Sequence, residues 1–228
     1  MILDEDLRIP AAVHTLAAFR RWAQSDRFPE QGRIDYLEGD VDVDMSPEDL
    51  YTHGVVKAAV SVTLHAIVAE GDLGHIFIDR ARVTSPDAEL SVEPDVVVVL
   101  WGSLDTGRVL QVPGKTEGRF VELEGAPDLV VEIVSDGSVG KDTKRLPPLY
   151  ALAGIPELWR IDARGAEVRL EILSLESSGT YNLQPANPEG WTLSPVLGLR
   201  FRLLREPARH SSWRYRLERS PLTPPPAV

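Results

Sequence analysis

The sequence has no cysteine, so it forms no disulfide, offers no thiolate nucleophile and holds no cysteine-ligated zinc. That absence fits a cytoplasmic protein. The start, MILDEDLRIP, is acidic and lacks the basic residues and apolar run of a signal peptide. No apolar run approaches the roughly 20 residues of a membrane span, so no membrane partner is expected. Basic residues are scarce, 24 against 35 acidic ones, for a formal net charge of -11. Such a chain repels phosphate backbones at long range, which argues against a protein that coats nucleic acid. An enzyme that gathers acids around metal ions behind a local basic rim remains compatible. Familiar catalytic signatures are missing too. His53, His65 and His75 have no metal-ligand spacing, and H-E-x-x-H does not occur. Gly114-Lys115-Thr116 resembles the end of a phosphate loop, but Val109 stands where its first glycine belongs. Gly137-Ser138-Val139-Gly140 is no nucleophile elbow, because its serine follows the glycine directly.

What is present is a chain of 228 residues, 43% hydrophobic, enough for one large domain with a core. The pattern predicts one domain over residues 1–205 and a Pro-rich, mobile tail over 206–228. Leu16, Phe19 and Trp22 share one helical stripe within His14 to Ser25. Arg33 to Leu37 and Val41 to Met45 flank Glu38-Gly39-Asp40 as a hairpin, with Asp35, Asp42 and Asp44 on it. Ser46-Pro47-Glu48-Asp49 reads as a helix start with Ser46 as cap, the helix running to about Glu70. Its core candidates are Val55, Val56, Ala59, Val62, Leu64 and Ile67. Ile76 to Thr84 reads as one strand. Residues 101–126 lose periodicity and read as a long loop with one short helix, a length typical of lids. Glu157 to Ala163 and Val168 to Leu175 read as antiparallel strands.

Two stretches carry the chemistry. In Pro94 to Leu100, Asp95 stands at the mouth of a β-branched run that reads as a buried strand. In Asp128 to Val134, Glu132 stands among Leu129, Val130, Val131, Ile133 and Val134. An ionised glutamate on a strand covered on both faces costs several kcal/mol unless a cation pairs with it. Neighbouring strands would bring Asp95 and Glu132 together, and a hard divalent cation relieves their repulsion. The alternative is that Asp95 caps a turn after Pro94 while Glu132 pairs with an arginine; the spacing leaves both open. Lys141 and Lys144 follow on a polar segment, either as charge stabilisers or as a solvated basic turn.

In order, the stretches IDYLEG and MSP, His53, EPDVVVV, PDLVVEIVS and KDTKRLPPLYALAGIPELWRID resemble the Uma-two family of the PD-(D/E)XK nuclease superfamily. The resemblance runs from about Arg33 to Asp162. It implies an α/β fold with a restriction endonuclease-like core: a mixed β-sheet flanked by helices, with additional β-hairpins. It implies that Asp95 and Glu132 bind Mg²⁺ or Mn²⁺ with help from the Ile133 carbonyl, and that Asp35 lines the same site. The family's helical lysine falls at Leu146, between the anchors Asp142 and Tyr150. Lys144, or else Lys141, is then the expected substitute.

The resemblance therefore implies a metal-dependent endonuclease that hydrolyses DNA, with Asp95, Glu132, Lys144 and Asp35 as its working residues. Leu146 and the net charge favour a silent binding module instead. A hydrolase of a small phosphorylated substrate is the third reading. A shared basic rim of Arg108, Lys115, Arg119, Lys141, Lys144 and Arg145 would favour the nuclease over it. A homodimer is expected by analogy with the fold alone.

Overall fold

The computed structural model describes residues 8–222; residues 1–7 and 223–228, most of the acidic start and the Pro-rich end, lie outside the described residues. The first helix, α1 (Leu16–Ala23), is capped by the Thr15 side chain and buries Leu16, Phe19 and Trp22, the stripe its sequence marks. The hairpin β1 (Arg33–Leu37) and β2 (Asp40–Asp44) turns at Gly39, whose φ of 97° suits glycine. Arg33 lies opposite Asp44 and Asp35 opposite Asp42, so these four side chains share one face.

The expected helix start shifts by three residues. Ser46 is engaged by the Asp44 carboxylate, and Asp49 instead accepts from the backbone N–H groups of Tyr51 and Thr52. A wide π turn, Leu50–Val55, then leads into α2 (Val56–Glu70). Val62, an expected core residue, is 70% exposed, while Lys57 and Ser61 are buried. By length and composition alone Leu50–Glu70 would cross a membrane, contrary to the sequence expectation. Here it is a core helix, with Val56, Val60, Leu64 and Ile67 packed inward and Lys57 ion-paired.

Next come β3 (Gly74–Ile78), β4 (Arg82–Ser85), β5 (Leu90–Val92) and β6 (Val96–Leu100). The single strand expected over Ile76 to Thr84 is broken at Asp79 and Arg80, whose positive φ angles send β3 and β4 into different sheets. The region expected to be a lid-like loop is a short helix, α3 (Trp101–Asp105), and a hairpin, β7 (Val109–Pro113) with β8 (Phe120–Gly125). Its periodicity is hidden because the register shifts at Val112/Pro113 and Phe120 and Val121 are exposed. Then follow β9 (Leu129–Ile133), a second π turn at Lys141–Arg145, and α4 (Leu146–Leu152), which has Pro147 and Pro148 in its first turn.

The chain ends as β10 (Glu157–Asp162), β11 (Arg169–Leu175), β12 (Tyr181–Leu183), β13 (Thr192–Ser194), β14 (Leu199–Pro207) and β15 (Trp213–Pro221). The tail expected to be mobile from residue 206 therefore contains a nine-residue strand paired along its length with β14. Tyr215 and Leu217 anchor it in the core, and Thr63 on α2 bonds the Leu217 carbonyl.

Among the described residues the strands form three sheets, ordered β2-β1-β5-β4-β8-β7, β12-β11-β10-β9-β6-β3 and β13-β14-β15. The second is mixed: β9 runs parallel to β10 and antiparallel to β6. Alternation along β6 and β9 divides the core. Val96, Val98, Leu129, Val131 and Ile133 face α2 and the third sheet. Val97, Val99 and Val130 face the first sheet and α4. By the same period of two, Asp95 and Glu132 fall on the side of the first sheet and α4. The α/β architecture expected from the family resemblance, a mixed sheet flanked by helices and extended by hairpins, is the one observed.

Candidate active site

Strands β6 and β9 pair with Val96 opposite Val131, and the next position outward sets Asp95 beside Glu132. The strands are neighbours, as expected, and antiparallel. Both acids are buried, at 0% and 2% exposure. Asp95 Oδ2 accepts from the backbone N–H of Ile133 at 2.7 Å, which ties the two strand ends together. The backbone of Ile133 is thereby at the site.

The cation standing between these two acids is an arginine. From β1, Arg33 Nη2 donates to Asp95 Oδ1 at 2.7 Å, and its Nη1 lies 4.0 Å from Glu132 Oε2. Burial alone would lower the Arg33 pKa, but Asp95, Glu132 and Asp35 together raise it and keep it protonated. Burial also pushes the Asp95 carboxyl up; His53, Arg33 and Lys57 overcome that and hold it far below the ordinary range. Glu132 goes the other way. Its burial, with Asp142 and Asp95 nearby, pushes it well above the carboxylate range despite Arg33 and a hydrogen bond from Tyr150. A dry pair of acids thus splits into one ionised member and one that favours its proton.

Asp35 lies at this site and is fully engaged. Its Oδ1 accepts from the Glu93 backbone at 3.1 Å and its Oδ2 from Lys141 Nζ at 2.8 Å. Lys141 is buried, which lowers its pKa, but Asp35 and Glu132 raise it and keep it charged. Lys144, the expected substitute, is exposed and makes no ion pair among the described residues. The wide turn explains this: with more than four residues per turn, Lys141 and Arg145 point to the hairpin and both approach Asp42. Lys144 falls on the outer side, and Leu146 is buried in the core. Next to Lys141, Asp142 is pushed up to about 6 by burial, though Ser138 and Lys141 oppose the shift. Its Oδ1 is buried without a hydrogen-bond partner.

Two further residues join from the helical side. His53 Nε2 lies 3.5 Å from Asp95 Oδ2 and its Nδ1 3.1 Å from Glu48 Oε2, the latter without hydrogen-bond alignment. Lys57 Nζ contacts Asp79 at 2.6 Å and Asp95 at 3.4 Å. One ligand atom each from Glu48, His53 and Asp95 lie within 4.8 Å of one another. An apolar cleft of about 650 Å³, lined by Glu48, Lys57, Ser61, Val62, His65 and Ile78, opens beside them. Arg33 and Lys57 are additions to the residues expected at the site. Both were signalled: Arg33 is two residues from Asp35 on a strand, and Lys57 is four from His53 on a helix.

These residues fit a hard divalent cation. Carboxylate oxygens predominate and a histidine nitrogen is within reach. Three of the six residues whose shared rim would favour a nuclease are held by acids of their own. Arg108 pairs with Asp128, at the opposite end of β9 from Glu132; Lys115 pairs with Asp26, and Arg145 with Asp40 and Asp42.

A family described as "Uma2: Putative restriction endonuclease" matches residues 16–205. The chain belongs to the Uma2 family. The Uma2 match spans every residue of the cluster just described and ends near the close of β14. A crystal structure titled a putative nuclease belonging to DUF820, from Anabaena variabilis ATCC 29413, has the same fold. It superposes with a TM-score of 0.59 at 18% identity, covering 80% of this chain and 90% of its own. None of the curated proteins matches the chain.

Proposed function

We propose that this Uma2-family chain is a divalent-metal-dependent nuclease that hydrolyses phosphodiester bonds in DNA. The observation that carries the reading is the buried juxtaposition of Asp95 and Glu132 at the ends of β6 and β9, in a chain of a restriction endonuclease-like family. Asp95, Glu132 and the Ile133 carbonyl are the proposed holders of Mg²⁺ or Mn²⁺, with Glu48 and His53 beside them. When bound, such an ion supplies an activated water and neutralises charge on the phosphoryl group.

The chain's own residues do the positioning. Tyr150 fixes one oxygen of Glu132, and the Ile133 N–H fixes one oxygen of Asp95. Asp35 holds Lys141, one of the two lysines expected as the substitute. Its proposed role is to stabilise negative charge as it develops on phosphate. A second reading, a metal-binding module without turnover, is favoured by Arg33 standing between the two acids. The deciding experiment is cleavage of supercoiled and single-stranded DNA with Mn²⁺, wild type beside Glu132→Gln. Activity lost in the variant supports the nuclease. Cleavage by Glu132→Gln at the wild-type rate overturns it, and a wild type that binds Mn²⁺ without cutting selects the silent module.

A further inference from the structure

Asp42, Glu48 and Asp79 reach the site's lysines from partly or fully exposed positions, and exposed acids repel a phosphate backbone, so a nuclease of this shape needs cationic surface elsewhere. Residues 199–221 supply it. They contain seven arginines against two glutamates, a formal +5 in a chain of -11, which leaves -16 on the rest. Segregation on that scale is more than a solvated face requires.

The geometry sorts these arginines. Along β14 and β15, Phe201, Leu203, Tyr215 and Leu217 point into the core. The alternate positions present Arg200, Arg202, Arg214 and Arg216 outward, with Arg209 at the hairpin tip. Arg202 and Arg216 are braced by Glu218, and Arg202 lies 4.6 Å from the Trp191 ring centroid. Arg200, Arg209 and Arg214 have no ion pair among the described residues. The hairpin also runs along α2. Arg219 pairs with Glu70 at the far end of α2 and Leu217 meets Thr63; the start of β15 reaches the Leu50–Val55 turn that carries His53.

We propose that the outer face of the β14–β15 hairpin is a nucleic-acid-binding surface that grips the phosphate backbone. The inference deepens the nuclease reading and rests on it for the identity of the polyanion. β15, which carries Arg214 and Arg216, lies beyond the residues matched by the family.

The test is fluorescence anisotropy of the full chain on a DNA duplex of about twenty base pairs, in EDTA so that nothing is cut, across a salt series. Wild type should bind with a steep inverse salt dependence. Arg200→Gln/Arg209→Gln/Arg214→Gln should bind at least about tenfold more weakly, its log-log salt slope reduced by about two to three. Arg8→Gln/Arg21→Gln/Arg27→Gln removes equal charge from exposed positions elsewhere and should bind like wild type. The proposal is overturned if wild type fails to bind, if the hairpin triple binds normally, or if the control loses as much. Binding to phosphatidylserine vesicles but not to DNA also overturns it. A protein that binds through these arginines yet never cuts DNA with Mn²⁺ would sink the nuclease reading and leave this surface standing. Cutting untouched by the hairpin triple would do the reverse.

Discussion

The Arg33 guanidinium lies 2.7 Å from Asp95 Oδ1 and 4.0 Å from Glu132 Oε2, so the two buried acids share one cation supplied by the protein itself. A divalent ion placed by the same acids must compete with that guanidinium. Arg33→Gln should therefore bind Mn²⁺ about tenfold more tightly in calorimetry, roughly 1.4 kcal/mol. Unchanged or weaker affinity would mean that Arg33 supports the ion rather than standing in for it.

Removing the other member of the pair acts on stability. Asp95→Ala strands Arg33 and takes a partner from Lys57 and the Ile133 N–H, all part-buried or buried. Breaking a buried pair from one side costs about 3–5 kcal/mol. Urea unfolding in EDTA should show that loss. A cost under about 1 kcal/mol would contradict the described network.

Asp142 gives a pH dependence with a definite sign. Its carboxyl is pushed up to about 6 by burial, above the roughly 3.9 of an unfolded aspartate. Between those values the folded state binds more protons than the unfolded one, so stability falls as pH rises through the window. Asp142→Asn should remove that slope and stabilise the metal-free protein above pH 7, on the order of 2 kcal/mol. Thermal melts of both proteins from acid to neutral pH check it; parallel curves would refute the assignment.

Lys141 and Lys144 differ by three residues and should differ sharply in effect. Lys141→Met is expected to lower Mn²⁺-dependent cleavage about a hundredfold, in the range that a single electrostatic stabiliser contributes. Lys144→Met should leave cleavage within about twofold, because the residue is exposed and unpaired among the described residues. Rates are to be compared on proteins whose circular dichroism is unchanged. The opposite ranking would return the role to Lys144.

Truncation after Glu206 tests the final strand. It removes Tyr215 and Leu217 from the core and uncovers Phe201 and Leu203. The shortened chain should lose cooperative unfolding in calorimetry. A native-like transition would show that β15 is dispensable.

Much of this architecture was legible in local pattern. The amphipathic stripe of α1, the β1–β2 hairpin and the apolar strands β6 and β9 each carry their own periodicity, and the ordered motifs pointed to the family fold. The acids Asp95, Glu132 and Asp35 stood out because carboxylates on apolar strands demand partners. Other parts were hidden. β15 reads as a polar tail because four of its nine residues are Arg or Glu, and its two buried anchors, Tyr215 and Leu217, gain meaning only against α2. The β7–β8 hairpin was masked by a register shift.

The sequence by itself determined which residues are acidic, which strands are apolar enough to be buried, and that no cysteine chemistry is available. Which cation meets Glu132 was decided by tertiary structure alone. Arg33 and Glu132 are 99 positions apart, and no local period relates them. Lys141 rather than Lys144 faces Asp35 because the turn there is wider than an α-helix, a difference set by packing against the hairpin. Local periodicity follows from the backbone geometry of one element. Partnership between charges follows from which elements are brought together, and that is a property of the folded chain.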